Sequence, residues 1–261
     1  MSSTPATDQQ LDQHSERLRA LHVPGDPLVL PNAWDAASAR AVEEAGFPVV
    51  ATSSAAVAPS LGYQDHHGAP PAEMLAAAGR IARAVDLPVT VDAEGGYGMS
   101  ADELVAALAD LGAAGFNLED SDHSAGELRD PDQQAGWLAE VRAAASAIGY
   151  RPVINARIDV FLAHRQAGEQ LAFVPDGIER ARAYAAEGAD CVYPIALWET
   201  EALGAFMAEA PAPVNVLPMP DGPSLSELAE MGVARISYAS RLYRETMEQF
   251  ANQLATIPRA V

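Results

Sequence analysis

Short apolar runs of four or five residues punctuate the chain, separated by longer stretches in which alanine and leucine recur at helical spacing. The runs are LVLP (28–31), VVAT (49–52), VTVD (89–92), GFNLE (115–119), VINAR (153–157), CVYPI (191–195), VNVLP (214–218) and VARIS (233–237). Their β-branched content, without strict apolar–polar alternation, predicts strands buried on both faces. Helices are predicted near 13–21, 35–45, 71–85, 101–111, 133–147, 177–187, 199–209 and 224–230, with a last one near 240–255. Ser100 ahead of Asp102 and Glu103 reads as an N-cap feeding an acidic first turn. Gly46, Gly112, Gly188 and Gly232 each precede a strand, where glycine closes a helix.

Eight strand–helix units in 261 residues predict a single-domain α/β protein, a (β/α)8 TIM-type barrel. Residues 1–12 are expected to form a flexible N-terminus and 13–261 the barrel with its C-terminal helix. A dinucleotide-binding open sheet fits less well. The first strand is followed by PNAWDAASA, which has no glycine, and GGYG after the third lacks the GxGxxG spacing.

In a barrel the chemistry gathers at the C-terminal ends of the strands. Those ends carry Asn32, Trp34 and Asp35; Ser53 and Ser54; Asp92 and Glu94; Glu119 and Asp120; and Asn155, Arg157 and Asp159. If the third strand persists, Asp92 and Glu94 share a face. With Glu119 they place three carboxylates beside one guanidinium, a repulsive set unless a cation sits among them. Oxygen ligands without a histidine or cysteine cluster favour Mg²⁺ or Mn²⁺ over zinc. The metal set is therefore Asp92, Glu94 and Glu119. Each strand-end acid taken alone fits capping or cross-loop pairing as readily.

Composition narrows the chemistry. The net charge is −20, and all 16 basic residues are arginine. A chain without lysine cannot be a Schiff-base aldolase, a pyridoxal-phosphate enzyme or a Walker A nucleotide binder. The acidic balance argues against nucleic acid and anionic membranes as partners, and an anionic substrate needs local arginine or a divalent cation. One cysteine, Cys191, permits no internal disulfide. No signal-like or membrane-spanning run occurs, so a cytoplasmic protein is expected. His66 lies in a long loop after the second strand, and His123 in a polar segment after the fourth that reads as a lid.

The run PNAWDAASARAVEEAGFPVVATSSAAVAPSLGYQD, followed by VDAEGGYG, GFNLED and INARIDVF, resembles the isocitrate lyase/phosphoenolpyruvate mutase superfamily over residues 25–245. VNVLPMP and MGVARISYASRLYRE resemble its short-chain branch. The resemblance implies a Mg²⁺-dependent lyase that cleaves a C–C bond in a small 2-oxo or 2-hydroxy (di)carboxylate through an enolate. It implies Asp92 as direct metal ligand, with Glu94 and Glu119 holding metal-bound water. Ser53, Ser54 and Ala55 would take the substrate carboxylate, and Arg157 a carboxylate or the enolate oxygen. Trp34 and Tyr63 would line the pocket, and Asp65 would position or deprotonate substrate. The segment after the fourth strand, SDHSAGELRDPDQQ, has neither the lysine nor the cysteine of the lyase lids, and His123 is the expected replacement acid or base. A homo-oligomer, tetramer or dimer, is implied. A phosphonate or carboxyphosphonate enzyme of the mutase type, and a non-catalytic metal-binding barrel, are the alternatives.

Overall fold

The computed structural model describes residues 8–66 and 68–258. The strands are β1 (Leu28–Leu30), β2 (Asn32–Ala33), β3 (Val50–Thr52), β4 (Val89–Asp92), β5 (Gly115–Glu119), β6 (Ser121–Asp122), β7 (Glu127–Leu128), β8 (Val153–Ile158), β9 (Cys191–Pro194), β10 (Asn215–Val216) and β11 (Arg235–Ser237). The helices are α1 (Asp8–Ala20), α2 (Ala36–Glu44), α3 (Ser54–Leu61), α4 (Pro71–Ala82), α5 (Ala101–Leu111), α6 (Pro131–Ala147), α7 (Val174–Ala186), α8 (Thr200–Glu209), α9 (Leu225–Glu230) and α10 (Arg241–Ala255).

All strands except the β6–β7 hairpin pair in parallel, in the orders β2-β3-β4-β5-β8-β9 and β1-β11-β10. The two sheets make one ring. β1 and β2 are a single run interrupted at Pro31, which has no N–H for a ladder. At the other seam, a parallel bridge between Val192 and Val214 ties β9 to the entrance of β10. The fold is a (β/α)8 barrel, as the alternation predicts.

The helices form where local chemistry favours them. Ser100 accepts from the Glu103 amide while the Glu103 carboxylate accepts from the Ser100 amide, a reciprocal cap that starts α5. Gly112, at φ 87, ends it. α1 begins at Asp8 rather than Gln13, so part of the expected flexible start is helical, and residues 1–7 lie outside the described residues. Leu18 of α1 is fully buried with Leu28, Leu30, Val49 and Val153, which closes the N-terminal end of the ring. The segment 54–61 forms helix α3, although Pro59 and the serines around it disguise the periodicity.

Candidate active site

Register decides which side chains share a level inside the barrel. Asp92 pairs with Asn117, and Asn117 with Asn155; Glu119 pairs with Arg157, and Arg157 with Tyr193. Paired residues on parallel strands face the same side of a sheet. Asp92 therefore lies one level deeper than Glu119 and Arg157.

A cavity of about 360 Å³ opens at this end, lined by Ser53, Ser54, Ala55, Asp65, Asp92 and Arg157 among others. Asp92 Oδ2 accepts from the Ser54 amide at 2.9 Å, and the Asp92 amide donates to Thr52 Oγ1 at 2.9 Å. Asp92 Oδ1 is buried and has no hydrogen-bond partner. Burial raises the Asp92 pKa above the usual carboxylate range. Arg157 works against the rise, and Glu119 and Asp65 add to it. Asp65 has a buried Oδ1 in the same unpartnered state.

Arg157 has its charge met from behind. Its Nε and Nη2 donate to the two oxygens of Asp159 at 2.6 and 2.7 Å, and Nη2 also reaches Glu119. Burial opposes its charge, but Asp159 and Glu119 more than offset that and hold its pKa well above the usual value. Ser121 Oγ donates to Asp159 at 2.6 Å, and the Asp159 amide donates to Asp120 Oδ1 at 2.9 Å. Asp120 Oδ2 accepts from Tyr184 at 2.7 Å and from Arg180 at 3.0 Å. Burial, followed by the charge of Asp159, pushes the Asp120 carboxyl up to about 6.

The three expected metal residues are all buried near Tyr97 but are held in different ways. β4 ends at Asp92, and Glu94 sits at φ 49, so the same-face premise fails at the strand's last residue. Gly96, Tyr97 and Gly98 continue the left-handed path at φ 90, 57 and 68, which is why glycines follow the acids. Glu94 is buried but does not line the cavity that Asp92 faces, and Glu119 is turned to Arg157 and His123. Among the described residues, no three His, Cys, Asp or Glu side chains are placed to hold one ion.

Three other residues also sit apart from the cavity lining. His123 binds Glu119 through Nε2 and lines a neighbouring cavity of about 430 Å³; its pKa is raised by that hydrogen bond. Tyr63 turns to α4 and donates to Glu73 at 2.7 Å. Trp34 packs edge-on against Tyr243 of α10 at 5.3 Å. The cavity also gathers residues the sequence reading gave no site role, among them Asn117, Tyr193, Arg165 and Arg244. Asn117 was legible in principle, since it precedes Glu119 by two on one strand. Arg165 and Arg244 come from a loop and the last helix, where no strand-end rule points.

The family model for phosphoenolpyruvate phosphomutase matches residues 18–258. The chain belongs to this family. It is an enzyme of the isocitrate lyase/phosphoenolpyruvate mutase superfamily, whose members are lyases and mutases. A solved Burkholderia cenocepacia J2315 protein that carries a phosphonomutase name is 42% identical, with TM-score 0.87 over 94% of this chain and 100% of that one. The "Probable 2-methylisocitrate lyase 2" of Corynebacterium glutamicum is 33% identical over 94% of this chain and 81% of its own length. The oxaloacetate decarboxylase of a Bradyrhizobium strain is 29% identical over 82% of this chain and 74% of that one. The cavity lining of this protein of net charge −20 includes three arginines and two aspartates. No helix among the described residues is long and apolar enough to cross a membrane.

Proposed function

We propose that the chain is a Mg²⁺- or Mn²⁺-dependent carbon–carbon lyase acting on a small 2-oxo or 2-hydroxy dicarboxylate, such as an oxaloacetate- or substituted malate-like acid, through an enolate. One observation carries the reading: Asp92, whose buried Oδ1 has no partner, lines the same cavity as Arg157 and the start of α3. An ionised oxygen in that state is costly without a cation. Mg²⁺ keeps most of its waters, so a single carboxylate arm from Asp92 fits it, and the described residues form no closed cage of three such ligands. When bound, the ion would supply charge that favours the enolate over the ketone.

The chain's own residues do the rest. Helix α3 opens at the cavity with Ser53 as an N-cap whose side chain makes no capping bond. Its positive end and the Ser53 hydroxyl suit a substrate carboxylate. Arg157, fixed by Asp159 and Glu119, presents a guanidinium that need not reorganise as charge develops on the substrate oxygen. Arg165 and Arg244 line the cavity without a carboxylate partner among the described residues, which supports a second acidic group at the far end of the substrate. Asp65, with its unpartnered oxygen, suits a substrate hydroxyl.

A homo-oligomer belongs to the same proposal. Met247, Phe250, Leu254 and Ile257 recur at every third or fourth residue along and just past α10, all exposed, and α10 buries none of its residues. Such a stripe suits a second copy of the chain.

The test is pyruvate release from oxaloacetate- and malate-like acids with Mg²⁺, with and without chelator. Metal-dependent release supports the lyase. Faster turnover of phosphonopyruvate would favour the mutase reading, which the phosphonomutase name of the 42% identical structure supports. Silence on every acid would favour a barrel that binds without chemistry.

A further inference from the structure

We infer that His66 is the residue that donates a proton to carbon in this pocket, in place of the lid residues missing after β5. The inference rests on the enolate reading above and adds the acid which that reading lacks.

The turn carrying His66 is built to hold it over the cavity. Gly62, at φ 91, closes α3, and at Gly68 a Cβ would meet the Gln64 carbonyl oxygen at 2.4 Å, so only glycine fits. Between them His66 itself adopts φ 64. A residue with a side chain holds that left-handed conformation at a cost of roughly 1 kcal/mol. The result is an imidazole in the lining of the cavity shared by Asp65, Asp92 and Arg157. Its Nε2 lies 4.0 Å from Asp65 Oδ2, and its ring lies against that of His123 with centroids 4.6 Å apart. His123 is in turn tied to Glu119, so the ring on which His66 rests is fixed.

The other proton carriers near the cavity are engaged or unsuited. His123 Nε2 is taken by Glu119, and the ring lines the next cavity. Tyr97 donates to the Asp92 carbonyl at 3.2 Å, and Tyr63 donates to Glu73. Burial pushes the Tyr193 hydroxyl and the Cys191 thiol each up to about 12. His66 is the one imidazole in the lining among the described residues, and imidazole is the side chain that exchanges protons near neutral pH.

The step balances as follows for an oxaloacetate-like acid. The bond from C3 to the distal carboxylate breaks, CO₂ leaves, and the bonding pair passes to the keto acid as an enolate. The His66 imidazolium gives its proton to C3, forming the new C–H bond of a pyruvate-type product. The neutral imidazole regains a proton from water, to which its side chain is 61% exposed.

The test uses His66→Asn and His66→Gly, because both residues accept a left-handed backbone and so spare the turn. The readout is the Mg²⁺-dependent exchange of pyruvate methyl protons with D₂O, which runs the proton step backwards without C–C cleavage. Wild-type protein should exchange them. Both variants should lose exchange by at least about 100-fold, keep pyruvate affinity within about twofold, unfold in one cooperative thermal transition as the wild type does, and regain exchange with added imidazole. Exchange at the wild-type rate in both variants would remove His66 from the chemistry while leaving the lyase intact. A wild-type protein that neither exchanges pyruvate nor cleaves any acid would overturn the enolate reading and this inference with it.

Discussion

Two groups of acids sit side by side at the C-terminal end of the barrel, and they are wired differently. Around Arg157 every carboxylate is answered: Glu119 by Arg157 and His123, Asp159 by Arg157 and Ser121, Asp120 by Arg180 and Tyr184. A few residues away, Asp92 and Asp65 each keep one buried oxygen with no partner. The first group is complete without a ligand and holds a guanidinium still. The second is incomplete, and its cost in stability makes sense if a cation and a substrate complete it. Burial alone does not separate the groups, because Asp92, Glu119 and Asp159 are all buried. Hydrogen-bond satisfaction does.

The contrast can be broken from either side. The largest effect belongs to Asp92→Asn, which should lower metal-dependent turnover by at least about 1,000-fold, a loss of roughly 4 kcal/mol in transition-state stabilisation. The variant's Tm in metal-free buffer should match or exceed that of the wild type, since a buried unpaired charge is removed. Asp159→Ala should do the reverse in stability and lower it by about 3–5 kcal/mol in denaturant titration, because Arg157 then lies buried with half its partners gone. Equal Tm changes in the two variants would erase the distinction.

A smaller effect is expected within the closed group. The Asp120 carboxyl stands at about 6 in the fold against an ordinary 3.8, so between those values the folded chain binds more protons than the unfolded one. This contribution to stability is fully present below pH 3.8 and is lost as pH rises through about 6. Asp120→Asn should therefore flatten the fall of Tm with pH in that window, whatever constant offset it brings. An unchanged slope would show that Asp120 ionises as freely in the fold as in the open chain.

The strands and their order were legible because buried parallel strands leave short β-branched runs, and the runs at 89–92 and 115–119 match β4 and β5 residue for residue. The strand-end rule also pointed to Asp92, Arg157 and the start of α3, which line one cavity. Glu94 takes its direction from the left-handed turn at that residue, which the strand pattern does not carry. Glu119 is engaged by Arg157 and His123, partners that the strand-end rule does not weigh. Tyr63 went to Glu73, a partner ten residues on that no strand-end rule weighs. Arg244 reaches the cavity from α10, more than 80 residues after Arg157 in the chain, a contact that only closure of the ring creates.

The open oxygen of Asp92 is the proposed cation site, and the satisfied acids beside it are proposed to play a lesser part. Calorimetric titration of Mg²⁺ into wild type, Asp92→Asn and Glu119→Gln tests it most directly. One Mg²⁺ per chain is expected in the wild type, at least about tenfold weaker binding in Asp92→Asn, and a far smaller change in Glu119→Gln. Equal affinity in wild type and Asp92→Asn, or a larger loss in Glu119→Gln, would contradict it.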